Sequence, residues 1–307
     1  EKVSFKFPKL QTATLSNGAK VVLAQRQGIP LVEMNFQFNF GYAQENNDEL
    51  GYTNFMMDML NEGTKKYSSL EFDSILGSLG SNIGFGSDLD TSFVSVSSLK
   101  SNLDQTLDLA KEAVMFPTFP SNEIARIKKQ TLAAFKRDEF RASSIAFRNI
   151  GKLLYGEDHP YGKLLIGAGV SETIQNIDAE KLSDLHKRAL NPQNLTFTVA
   201  GDISIDEIVN LLESKFGNWK SESGSNLRDL PKMPLPEKRM VYLINKPNAE
   251  QSYIVAGQLL PPTATAEEIK INYMNYAIGG SFTSRLNMNL REDKSWSYGA
   301  RTRLGNA

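Results

Sequence analysis

Alternating hydrophobic positions mark the beginning of this chain as part of a sheet. Every second residue from 32 to 40 is apolar: Val32, Met34, Phe36, Phe38 and Phe40. This period of two is typical of a strand with one face in a core. Upstream, residues 12–15 and 20–25 flank Asn17-Gly18, and an Asn-Gly pair favours a hairpin turn. The sequence therefore predicts a hairpin followed by a half-buried strand.

Helical periodicity dominates the next part of the chain, with further strands at two places. Helices are predicted over 50–60, 68–79, 102–115, 123–141, 144–155, 179–190 and 206–216. Ser68 and Glu71 have the spacing of a capping box at the start of the second of these helices. Strands are predicted within 81–98 and over 195–200. We therefore predict an α+β fold in which a mostly antiparallel sheet carries helices packed on one face.

A change in composition predicts two domains. Serine, glycine and proline are concentrated near 221–236, which is typical of a linker. Beyond it, strands over 239–244 and 252–259 and a helix over 267–278 repeat the opening order of elements. We predict a first α+β domain over 1–220, a linker over 221–236, and the beginning of a homologous second domain over 237–307. Because the second domain is so short, we expect the chain to be a fragment or to need a partner there.

The stretch from Gly279 to Gly299 carries the candidate chemistry. It predicts a short amphipathic helix, then a strand in which Trp296 and Tyr298 alternate with serines. Arg291 and Tyr298 would then lie side by side, at the end of the helix and the start of the strand. Both side chains donate hydrogen bonds and can hold a carbonyl or a developing oxyanion. On these residues alone, the simpler interpretation is that Arg291 compensates the helix dipole and Tyr298 packs.

Composition excludes several classes of site. The 307 residues include 34 basic and 35 acidic ones, so the sequence predicts no basic surface for nucleic acid, and it contains no apolar run long enough to span a membrane. It has no cysteine, which excludes disulfides, thiolate ligands and a cysteine nucleophile. His159 and His186 are its only histidines. A histidine-rich zinc site is therefore excluded, and both are expected to be exposed or locally hydrogen-bonded.

Taken together, these stretches resemble the pitrilysin/insulinase-type zinc peptidases, the family that includes mitochondrial processing peptidase. The resemblance covers nearly the whole chain, and it is carried by 15–25, 32–41, 51–64, 154–160, 191–202 and 279–299. Subunits of this family are built from paired homologous α+β domains. The resemblance therefore implies the same arrangement as the repeat of element order.

Active members of the family carry His-x-x-Glu-His on a helix, in which two histidines bind zinc and the glutamate acts as general base. Residues 51–64 occupy that helix here. Asn54 and Asp58 stand at the histidine positions, and Met57 stands at the glutamate position. The third ligand, a glutamate on a later helix, falls near residues 133–134, which are alanines. The resemblance thus implies that this chain binds no metal and is inactive alone.

The resemblance also assigns roles to the later stretch. Arg291 and Tyr298 match, in type and spacing, a pair that faces the zinc from the other half of two-part members. They would bind the scissile carbonyl and the oxyanion, while Gly279, Gly280 and Ser281 would lie against an extended peptide substrate. The implied partner is a zinc-bearing half, either a separate subunit or part of the same polypeptide. Zinc is expected only in that half.

Two functions remain open at this point. The first is the non-zinc half of a bipartite zinc metalloendopeptidase. The alternative is a catalytically silent structural subunit of a larger complex, as some relatives in respiratory complexes have become. Retention of both Arg291 and Tyr298 favours the peptidase half, because a scaffold needs neither. We expect a bacterial protein of the periplasm or cell envelope.

Overall fold

The computed structural model describes residues 8–163, 167–220, 227–231, 233, 238–261, 263 and 265–305. These residues fall into two compact units. The first lies within Glu1–Pro234 and Met240–Gly257, and the second lies within Leu235–Arg239 and Gln258–Ala307. Most of the predicted linker over 221–236 lies outside the described residues.

A six-stranded sheet lies in the first unit. Its strands are β1 (Gln11–Thr14), β2 (Lys20–Gln25), β3 (Leu31–Phe38), β4 (Asn82–Ser87), β5 (Ser92–Leu99) and β6 (Leu195–Gly201). Their order across the sheet is β1-β2-β6-β3-β5-β4. Every neighbouring pair is antiparallel except β2 with β6. The predicted α+β fold with a mostly antiparallel sheet is confirmed.

Helices fill the connections between these strands. They are α1 (Tyr52–Met59), α2 (Ser69–Ser78), α3 (Leu103–Met115), α4 (Ser121–Asp138), α5 (Ala142–Tyr155), α6 (Pro160–Lys163), α7 (Ser171–Gln175), α8 (Ala179–Ala189) and α9 (Ile205–Phe216). The capping box predicted at α2 is confirmed, since the Glu71 amide donates to Ser68 Oγ and the Glu71 carboxylate accepts from the Ser68 amide. Ser204 and Glu207 form a second box at the start of α9.

The core lies against one face of the sheet. Along β3, Val32, Met34, Phe36 and Phe38 are buried while the residues between them are half-buried or exposed. The Phe36 ring meets the rings of Phe197 on β6 and Phe216 on α9 edge-on, with centroids 4.8 and 5.5 Å apart. Helices α1, α2, α3 and α9 all contact strands of this sheet. The alternation in the sequence therefore predicted the buried face correctly.

The second unit contains short helical segments. They are α10 (Glu268–Asn275), a π-helical continuation (Tyr276–Gly280), α11 (Arg285–Asn287) and a second π-helical continuation (Met288–Asp293). The helix predicted over 267–278 thus forms, with its last turn widened. Single π turns inside helices occur often at functional sites.

Three predicted strands do not form. Within the described residues, 239–244, 252–259 and 296–298 have no strand structure. A strand requires a neighbour that takes up its backbone amides and carbonyls, and the described residues place none beside these segments. Several of their apolar side chains are exposed, as at Val241 and Leu243, which keep 94% and 95% of their surface, although Leu259 is buried. Alternation indicates which face a strand would bury, but it does not supply the pairing.

Phe36 is expected to be a main support of the first unit. Replacing it with alanine, Phe36→Ala, removes a ring with no exposed surface and leaves a cavity, so the free energy of unfolding should fall by about 3–5 kcal/mol. Phe140→Ala is the matched control, because Phe140 keeps 77% of its surface exposed, and it should change stability by less than about 0.5 kcal/mol. Urea denaturation measures both. Equal losses would contradict this account of the core.

Candidate functional site

Helix α1, which the resemblance aligns with a zinc-binding helix, begins at a buried carboxylate. Glu45 is 3% exposed, and its two oxygens accept hydrogen bonds from the amides of Gly51 at 2.8 Å and Thr53 at 2.6 Å. These are among the amides at a helix start that have no partner within the helix. Burial raises the pKa of Glu45 to about 7, although the two amide bonds act in the opposite direction. Glu45 therefore fixes where α1 starts.

A close approach of two backbones also constrains this helix start. Gly51 has a φ of 90° and Gly169 a φ of 75°. A Cβ on Gly51 would lie 2.6 Å from the Gly169 Cα. Only glycine combines that backbone conformation with so close a contact.

Asn54, at the first histidine position, is used for structure. Its Nδ2 donates to the Gly167 carbonyl at 2.9 Å, and its Oδ1 accepts from the hydroxyl of Ser87 on β4. Both ends of the amide are therefore occupied. Asn54 ties α1 to the end of β4 and to the segment before α7, and it is not free to coordinate a metal.

The other two positions of the degenerate motif are adjacent on α1 and differ in exposure. Met57 is completely buried in the core. Asp58 is exposed, and the pKa of its carboxyl is raised, first by partial desolvation and second by the nearby charge of Glu62. Glu62 is itself engaged with Arg126 on α4 at 2.6 Å. The arrangement leaves one solvent-facing carboxylate where a zinc site would need several converging ligands.

No metal site is built elsewhere in the described part of the chain. There, no group of three or more His, Cys, Asp and Glu side chains converges. The Nε2 of His159 donates to the Pro231 carbonyl at 3.0 Å, and the Nε2 of His186 donates to the Val114 carbonyl at 2.7 Å. The expectation that both histidines are exposed or locally hydrogen-bonded is wrong, because each bonds to a carbonyl 72 positions away in the sequence and His159 is only 6% exposed. The residues present do not fit zinc.

Arg291 and Tyr298 lie in the second unit. The Arg291 guanidinium sits over the Phe282 ring, 4.8 Å from its centroid, and its Nε lies 3.4 Å from a Glu292 oxygen. Tyr298 keeps 90% of its surface exposed. Among the described residues, no hydrogen bond or ring contact joins Arg291 to Tyr298. The structure thus places both donors on one short segment without bringing them into contact.

The predicted substrate-binding residues have different environments. A Cβ on Gly279 would lie 2.5 Å from Thr302 Oγ1, and the Gly279 carbonyl accepts from the Thr302 amide at 3.0 Å. Gly279 is therefore required for packing within the second unit. Gly280 is less crowded, since a Cβ there would lie 3.2 Å from the Asn275 carbonyl oxygen. Ser281, which is predicted to bind substrate as well, has an extended backbone.

Sequence reasoning missed two residues. Glu45 precedes a polar loop and resembles any surface glutamate, so nothing in its spacing indicates a buried cap. Asn287 alternates with apolar residues in a stretch that indicates only an amphipathic helix. It is 4% exposed and bonds to the backbone at both ends of its amide. A polar residue inside an apolar stripe is the one signal that could have identified it.

Comparison with known proteins covers both units. Residues 20–166 match the family described as insulinase (peptidase family M16), and residues 176–306 match the family described as peptidase M16 inactive domain. An uncharacterized zinc protease, YmxG of Bacillus subtilis, is 23% identical over 285 residues, which are 93% of this chain and 68% of that protein.

Solved structures show the same fold. The peptidase M16 inactive domain from Pseudomonas fluorescens superposes with a TM-score of 0.84 at 24% identity, covering 97% of this chain and 71% of that one. The first half of the periplasmic protease PqqL from Escherichia coli gives a TM-score of 0.66 at 22% identity, covering 73% of this chain and 49% of that one. In the described residues, no helix combines the length and apolar character that a membrane crossing requires.

The degenerate motif is expected to have no useful zinc affinity. Asn54 is held by two hydrogen bonds, and Asp58 offers a single carboxylate, which is a poor ligand set for zinc. Calorimetric titration with ZnCl₂ should therefore give no stoichiometric heat. Asp58→Asn, which removes the remaining carboxylate, should give the same trace. Tight one-to-one binding that Asp58→Asn abolishes would contradict this prediction.

Glu45 should make stability depend on pH. Its folded pKa of about 7 lies above the ordinary value of 4.5, so the folded state holds the proton more tightly than the unfolded state. Its contribution is therefore complete below about pH 4.5 and is lost as the pH rises through 7, by ~3 kcal/mol at most. Unfolding free energies from urea titrations between pH 5 and 8 should fall more steeply in the wild type than in Glu45→Gln. Identical slopes would show that Glu45 does not titrate in this range.

Proposed function

The chain belongs to the M16 peptidase family, in the group that lacks the zinc motif, and we propose that it is the non-zinc half of a bipartite zinc metalloendopeptidase. One observation carries the proposal. On α1, residues at the zinc-motif positions stabilise the fold, as Asn54 does through two hydrogen bonds. In contrast, Arg291 and the exposed Tyr298 are both present.

In this proposal the two halves divide the chemistry. The partner half holds zinc and the general base. This chain supplies hydrogen-bond donors to the scissile carbonyl and to the oxyanion that replaces it. Arg291 acts as a fixed positive charge, because a guanidinium is not an acid that enzymes use for proton transfer. Tyr298 donates through its phenol, which already faces solvent.

The substrate is an extended peptide. Gly280 and Ser281 border the segment that carries Arg291, and the extended backbone of Ser281 suits contact with a peptide main chain. Main-chain recognition gives breadth rather than strict sequence choice. Gly279 takes part indirectly, by holding this segment against Thr302.

The partner and compartment are inferred from the comparisons. PqqL, whose first half shares this fold, is described as a periplasmic protease. We place this chain beside a zinc-bearing half, on a separate subunit or the same polypeptide, in the periplasm or cell envelope of a bacterium. The second unit then belongs to a second domain homologous to the first. The alternative, a silent scaffold subunit, has no use for the two retained donors.

Replacement of either donor should slow turnover. Arg291→Ala and Tyr298→Phe, measured in the full protein assembled with its zinc-bearing half, should each lower kcat by about 10²–10³-fold. The change in KM should be smaller, because a donor aimed at the oxyanion acts mainly in the transition state. Steady-state cleavage of a fluorogenic peptide gives both constants.

Two control variants are available in the same unit. Arg285 and Tyr276 are exposed residues of the same types, so Arg285→Ala and Tyr276→Phe should leave kcat within about twofold. Co-elution of the two halves verifies that each variant still assembles. If Arg291→Ala and Tyr298→Phe also leave turnover unchanged while assembly is intact, the chain is a scaffold and the proposal fails.

A further inference from the structure

A buried asparagine crosslinks the segment that carries the two donors. Asn287 is 4% exposed and ends α11. Its Nδ2 donates to the Phe282 carbonyl at 2.7 Å, and its Oδ1 accepts from the Ala300 amide at 3.2 Å. One side chain therefore joins the residues before the helix to the residues after Tyr298. Both ends of its amide are satisfied, as a buried polar group requires.

Each of these bonds reaches a residue that supports one of the donors. Phe282 carries the ring on which the Arg291 guanidinium rests, 4.8 Å from the ring centroid. Ala300 comes two positions after Tyr298, so its fixed amide limits where the tyrosine can lie. Asn287 thus holds the support of Arg291 with one end and the chain beside Tyr298 with the other.

Backbone hydrogen bonds also fix the turn that connects Arg291 to Tyr298. Ser295 adopts a left-handed φ of 53°, and the chain reverses there, with the Ser295 amide bonded to the Arg291 carbonyl at 3.1 Å. Further along, Ser297 Oγ accepts from the Gly299 amide at 3.0 Å. Tyr298 therefore sits on a tight turn that is closed at the beginning by Arg291 and at the end by Asn287.

The exposed side of the same segment has no comparable role. Asn289 lies two positions after Asn287, and its side chain is exposed. The bond that it accepts from the Lys294 amide, at 3.1 Å, goes to its backbone carbonyl and not to its side chain. Burial and bonding therefore distinguish Asn287 from a neighbour of identical chemistry.

We propose that Asn287 is a positioning residue that sets Tyr298 in register with Arg291 through its paired bonds to Phe282 and Ala300. This inference rests on the proposed function, since it assumes that the two donors act together. Asn287 does not touch the substrate. An amide is suited to the task because it offers a donor and an acceptor in one rigid plane, which neither aspartate nor alanine does.

The test compares Asn287→Ala, Asn287→Asp and the control Asn289→Ala in the full protein assembled with its zinc-bearing half. Each is made in the wild-type and the Tyr298→Phe background. Asn287→Ala should lower kcat about 10–10²-fold, since small displacements of a catalytic group cost this much, and it should leave KM within about threefold. Asn287→Asp keeps the acceptor for Ala300 but sets a carboxylate oxygen against the Phe282 carbonyl in a buried site, so it should lose at least as much as Asn287→Ala. Asn289→Ala should match the wild type.

The Tyr298→Phe background separates positioning from general damage. Because Asn287 positions Tyr298 relative to Arg291, its replacement should lower kcat by a clearly smaller factor in the Tyr298→Phe background than in the wild type. An equal loss in both backgrounds would overturn the inference. Hydrogen–deuterium exchange of the peptide covering 299–302 gives a readout without activity. Exchange should speed up in Asn287→Ala and stay unchanged in Asn289→Ala, and unchanged exchange in Asn287→Ala would also overturn it.

The two proposals fail in different ways. If Tyr298→Phe alone leaves turnover unchanged, the proposed function fails and the positioning role fails with it. If Tyr298→Phe is slow but Asn287→Ala turns over normally, the donor role stands and only the positioning role is overturned. Chemical denaturation of Asn287→Asp and Asn287→Ala verifies that both variants are folded at the assay temperature.

Discussion

The amides at the start of a buried helix need partners that water cannot provide, and in this protein one carboxylate supplies them. The Glu45 carboxylate accepts hydrogen bonds from two of these amides at the start of α1. The helix then begins against Gly169, in a space that admits no side chain at Gly51. The position of α1, and with it the orientation of the degenerate zinc motif, follows from this arrangement.

Once the helix is fixed in this way, its side chains contribute to the fold instead of to chemistry. The side-chain amide of Asn54 is hydrogen-bonded at one end to β4 and at the other to the segment before α7. Met57 is part of the core. Asn54 therefore acts as a crosslink between three elements at the position where the resemblance would place a metal ligand. The second unit differs, because the Tyr298 side chain is exposed to solvent and the hydrogen bonds are made by the residues around it.

Local signals predicted most elements of the first unit, because each depends on residues close in sequence. The alternation in β3 and the capping box at Ser68 are of this kind. Strands over 239–244 and 252–259 failed, because pairing depends on a neighbour that no local pattern describes. The site was reached only through the resemblance at residues 51–64 and 279–299. The resemblance did not identify Glu45 and Asn287, because their burial depends on the tertiary fold and not on the spacing of residues in the sequence.

The place of β6 in the sheet has a consequence for how the chain folds. This strand lies between β2 and β3, yet Leu195 comes 170 positions after Gln25. Strand pairings so distant in sequence form slowly, because the entropy of closing a long loop is lost before the pairing contributes any stabilising free energy. Until β6 is synthesised, β2 and β3 each present an unpaired edge with apolar residues beside it, and such edges favour aggregation. Synthesis must therefore reach β6, 170 positions beyond the end of β2, before the sheet can close, and both edges stay unpaired throughout that interval.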